Sequence, residues 1–103
     1  MWNYQILKEK FFGLANGART NANDAKLKRS KAPEVFEGLH DVDLARHDVY
    51  MYLATSHYPT RQDFLDALNQ LAVTLPSNTE AFDEQKYLET RKNIISGLIA
   101  EFQ

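Results

Sequence analysis

Apolar residues return every three or four positions along most of this chain, the period of an α-helix, and four stretches carry the pattern. The longest runs from Pro33 to Tyr58. Wound as a helix, it lines up Val35, Leu39, Val42, Val49 and Leu53, with Phe36, Tyr50 and Ala54 in a second line about a quarter-turn away. Glu34, Glu37, Asp41 and Asp48 form a narrow acidic strip, and the turns from Tyr50 to Ala54 are apolar nearly all round. A helix wrapped in this way is expected at the centre of a fold, with its valine line turned inward.

The other three stretches pack around that rod. Tyr4, Leu7, Phe11 and Leu14, widened by Trp2 and Phe12, predict a first helix over 1–16, with Asn16-Gly17 as its natural stop. Residues 17–32 hold Leu27 as their only large apolar side chain, so they read as a basic linker or a helix extension lying on the surface. Pro33 suits a first helical turn, and Pro59 requires the second helix, 33–58, to end before it. Thr60 with Asp63 resembles a capping pair for a third helix over 60–75, whose stripe is Phe64, Leu65, Leu68, Leu71, Ala72 and Leu75. Ser77 and Glu80 repeat the capping pattern ahead of a fourth helix over 79–102, with Tyr87, Leu88, Ile95, Leu98 and Phe102 on one side.

No stretch alternates with period two, and the connections near Pro59 and Pro76 are short. The expected fold is all-α: a single-domain four-helix bundle, mostly antiparallel, with a long central second helix. A chain of 103 residues, 44% hydrophobic, is long enough for one core and too short for two ordinary domains.

Charge adds an asymmetry that the total conceals. The net value is -2, yet residues 1–32 carry seven Lys/Arg against Glu9 and Asp24, and the remainder is acidic. Cysteine is absent, which removes disulfides, thiolate nucleophiles and Cys-ligated zinc. No window approaches the roughly 18 apolar residues of a membrane span, and Lys8, Glu9 and Lys10 interrupt the first apolar run. A cytoplasmic protein without membrane contact is the expectation.

Three constellations have chemical potential. His40, Asp43 and His47, spaced i, i+3, i+7, gather on one side of the second helix and resemble part of a zinc site. A fourth ligand would have to come from Glu80, Asp83 or Glu84; without one, the three are ordinary helical hydrogen-bonding groups and no cofactor is implied. Arg19, Lys26, Lys28, Arg29 and Lys31 form a basic segment able to contact phosphates, although no aromatic residues interleave it. Val42 to Leu75 fits a helix-turn-helix poorly, because its first helix is too long and Asp63 and Asp66 would face phosphates. Arg46 and Arg91 interrupt apolar stripes and must each snorkel, meet a carboxylate or reach a partner.

Nucleophilic catalysis has no motif to stand on, and no glycine loop is built to cradle phosphate. Aromatics make up 12% of the chain, more ring surface than one small bundle readily hides. The leading expectation is a non-enzymatic protein-interaction module, comparable in size and shape to small adaptors, inhibitors or immunity-type bundles. It would bind another protein, or itself as a homodimer, through Tyr50, Met51, Tyr58, Arg46 and Arg91. A nucleic-acid-associated regulator and a metal-dependent enzyme are the alternatives.

Overall fold

The computed structural model describes residues 1–103 and contains four helices and no strand. Helix α1 spans Tyr4–Lys28, α2 Pro33–Ala54, α3 Arg61–Thr74 and α4 Glu84–Phe102. Asn3 opens α1 by accepting a hydrogen bond from the Gln5 amide. The helix does not stop at Gly17. Ala15, Ala18, Ala22 and Ala25 are all buried, forming a seam of small side chains that holds α1 helical against α2, while Gly13 and Gly17 look into open space. Residues 17–28 are therefore a helix extension rather than a linker.

α2 begins with Pro33 as expected and ends at Ala54, four residues short of Tyr58. Its orphan carbonyls explain the early stop. Thr55 donates to the carbonyls of Met51 and Tyr52, Ser56 donates to Tyr52, and the Tyr4 hydroxyl reaches across from α1 to the Leu53 carbonyl at 2.6 Å. Thr60 caps α3 by accepting from the Asp63 amide, as its sequence predicts. α4 starts five residues later than expected, capped by Asp83 instead of Ser77, because the preceding segment is tied down elsewhere.

The contacts fix the directions. Tyr4 meets Leu53, and Phe11 stacks on Tyr50 at 5.8 Å, so α1 and α2 form an antiparallel hairpin. α3 and α4 are antiparallel too, with Phe64 against Phe102 at one end and Arg91 bonded to Leu75 at the other. α4 runs alongside α2 in the same direction, Asp83 beside Asp41 and Tyr87 beside Asp48. The main core joins Tyr4, Phe11, Val49, Leu53, Phe64, Leu68, Leu71, Ile95 and Leu98. Each such side chain contributes about 1.5–3 kcal/mol relative to leaving it in water.

The molecule is elongated, 48 × 23 × 20 Å. At about 1.5 Å per residue, α2 is about 33 Å long and α3 about 21 Å. α4 begins beside Asp41, so the first two turns of α2 have as neighbours α1, the segment leading into α4 and, at Gly38, the Lys86 side chain of α4. The valine line of α2 is accordingly divided. Val49 and Leu53 are fully buried and Val42 is half-buried, but Leu39 is 49% exposed and Val35 58% exposed. Conversely Asp41, expected on the outward acidic strip, is completely enclosed.

Candidate functional site

Two His-Asp dipeptides, one heptad apart on α2, organise the polar interior. In each, the histidine Nδ1 lies within hydrogen-bond distance of the next residue's Oδ1, at 2.9 Å for His40-Asp41 and 3.0 Å for His47-Asp48. The Asp41 carboxylate also accepts backbone amides from Phe82 at 2.9 Å and Asp83 at 2.7 Å. Burying a carboxylate is costly, and the imidazole and two amides offset that cost with charge-assisted bonds. The Phe82 ring closes edge-on over His40 at 4.9 Å. Asp41 thus fastens the entry to α4 onto the middle of α2.

Asp48 makes the second fastening. Its Oδ2 accepts from the Tyr87 hydroxyl and from the Asn78 side-chain amide. Burial raises the Tyr87 phenol pKa first, and the hydrogen bond to Asp48 raises it further by holding the proton. Below it, Arg91 is buried and donates to the Leu75 and Pro76 carbonyls at 2.6 and 2.8 Å, where the open C-terminal end of α3 favours a cation. Its Nε has no partner. Arg91 therefore braces the α3–α4 connection from within and does not present itself to a partner, which corrects the sequence expectation.

His40, Asp43 and His47 do not assemble into a metal centre. Both histidines turn to their own aspartates, and no group of three or more His, Asp or Glu side chains lies close enough to hold an ion. Two of the proposed fourth ligands have other roles: Glu80 pairs with Arg19 and Asp83 caps α4. Asp43 is half-buried; burial pushes its carboxyl pKa up, and the nearby Arg46 and His40 only partly oppose this.

The basic segment is largely neutralised by the chain's own acids. Arg19 pairs with Glu80 at 3.2 Å, Lys28 with Asp24 at 3.0 Å, and Arg29 approaches Glu37 at 4.0 Å while lying 4.9 Å over the Phe82 ring. Exposed pairs of this kind add only about 0.2–1 kcal/mol to stability. Their larger effect is on the field: only Lys26 and Lys31 of the five cations have no ion-pair partner, too small a patch to outweigh an acidic remainder.

The expected partner-binding residues separate into two groups. Tyr50 and Tyr58 are half-buried; Tyr50 stacks on Phe11, and Tyr58 sets its ring edge to Tyr4 at 5.1 Å while its carbonyl accepts from the Trp2 indole. These rings complete the core wall. Met51 lines an open cleft of about 410 Å³ between His47 and Tyr52 on α2, Thr55 just past its end, and residues 75–79. Arg46 alone is plainly exposed, and it has no ion-pair partner.

Arg46 ends a row that pattern reading assigned to the core. Val35, Leu39, Val42 and Arg46 follow one another at spacings of four, three and four, so they lie along one side of α2. Glu34 flanks the row at its other end, exposed and without an ion-pair partner. The signal that could have separated this half from the buried half is Arg46 itself, a fixed charge where the row leaves the core. Compared with protein-family models, with curated proteins and with solved structures, the chain matches none.

Proposed function

We propose that this chain is a small non-enzymatic interaction module that binds another polypeptide along the N-terminal half of α2. One observation carries the reading: a single apolar row is buried at Val49 and Leu53 and continues into solvent at Leu39 and Val35. Isolated exposed apolar residues need no explanation, but a row aligned along one side of a helix is the form in which a partner helix is received. The cytoplasmic setting, expected because no apolar run is long enough for a membrane span and Lys8, Glu9 and Lys10 interrupt the first one, belongs to this proposal.

Site-specific photo-cross-linking tests it. A photo-reactive residue at Leu39 should give discrete adducts with a bound polypeptide, and one at Val73, an exposed apolar position on α3, should not. Equal, diffuse labelling from both positions would sink the idea.

A further inference from the structure

We infer that the uncovered row of α2 pairs with the same row of a second copy of the chain, antiparallel, with Arg46 of each copy reaching Glu34 of the other. This rests on the reading of the row as a docking face and adds the identity of what docks.

The spacing of the row is that of a coiled-coil seam. Val35, Leu39, Val42 and Arg46 fall at alternating steps of four and three, and Val49 and Leu53 continue the same heptad into the core. A face of this kind is matched by another helix with the same repeat, and this chain supplies one. Because the same patch serves both copies, the contact is isologous and closes on itself as a dimer.

Charge decides the direction. In a parallel pairing Arg46 would lie against Arg46, two guanidiniums in a desolvating seam, which is repulsive. In the antiparallel register that sets Leu39 opposite Val42, Arg46 falls opposite Val35 of the second copy. Its methylene stem can then lie on that valine while the guanidinium extends to the adjacent Glu34, as long cationic side chains do at the edge of apolar surfaces. The two-fold repeats the contact at the other end, about 16 Å away along the helix. Neither Glu34 nor Arg46 makes an ion pair within the fold; Asp43 lies near Arg46 without pairing with it. A single charged residue in an otherwise apolar seam is also how helical pairs set their register. Three apolar residues and one ion pair per copy make a contact below the usual 1,200–2,000 Å² of stable complexes, so the dimer should dissociate in roughly the micromolar range or weaker.

Sedimentation equilibrium on the full chain, from about 10 μM to about 1 mM, reads this directly. The weight-average mass of the wild type should climb from 11.9 kDa toward twice that value. Leu39→Lys should remain monomeric, Arg46→Glu and Glu34→Arg should each weaken pairing by about tenfold, and the two reversals together should restore it. All these positions are on the surface, and a helical circular-dichroism spectrum for each variant confirms that the fold is kept. A wild type that stays monomeric throughout, a dimer indifferent to Leu39→Lys, or a double reversal that fails to recover would each overturn the proposal. A monomeric wild type that still gives Leu39 adducts with a different polypeptide would leave the docking face standing and remove only the self-pairing; no adducts at all would remove both.

Discussion

Asp41 shows how much one side chain can decide. With its carboxylate enclosed and bonded to the Phe82 and Asp83 amides and to His40, it does the work that water does for an exposed loop. Asp41→Ala should cost about 2–4 kcal/mol, since it leaves two amides and an imidazole without an acceptor; urea unfolding of the variant would measure the loss. Asp43 works in the opposite sense. Burial lifts its carboxyl pKa above the ordinary value near 3.8, so the native state holds that proton more tightly than the unfolded chain does. Its ionised form therefore penalises folding at pH values above the raised pKa, and the penalty disappears below the ordinary one. Asp43→Asn should raise the melting temperature at about pH 7, with the gain shrinking to nothing near pH 3. Neither behaviour could be read from the letters alone, because an aspartate on the polar side of a helix looks the same whether water or a neighbouring loop satisfies it.

At the level of whole elements the sequence was a good guide wherever a local signal and a tertiary contact agree. Thr60 with Asp63 marked the start of α3, Pro33 the start of α2, and the stripe of Phe64, Leu68 and Leu71 the buried side of α3. The errors have separate physical causes. Gly17 looked like a stop, but the alanine seam on either side of it packs against α2 and carries the helix on to Lys28. Ser77 and Glu80 looked like a capping pair, but Asp41 holds the amides of Phe82 and Asp83 and postpones α4 to Glu84. The α1 error has a measurable corollary. Gly17 lies inside a helix with nothing within 4 Å of a Cβ placed there, so Gly17→Ala should stabilise the protein by about 0.5–1 kcal/mol. The expected signature is a higher urea midpoint at unchanged slope.

For the molecule as a whole, the all-helical bundle was legible and its occupancy was not. Periodicity identifies which side of a helix is apolar, and it cannot say whether the chain itself or something else covers that side. Val49 and Leu53 are covered by the chain; Val35 and Leu39, on the same line, are not. No helix is long and apolar enough to cross a membrane.

The alanine seam has one more consequence. Methyl groups bury far less area than the phenylalanines and leucines at the opposite end, so the hairpin's tip is held by the thinnest part of the interior. Local fraying should begin there, in the turns that bear Val35 and Leu39. Affinity and rigidity are thereby linked: whatever lies along those turns also stiffens them, and each alanine that is enlarged would alter both at once.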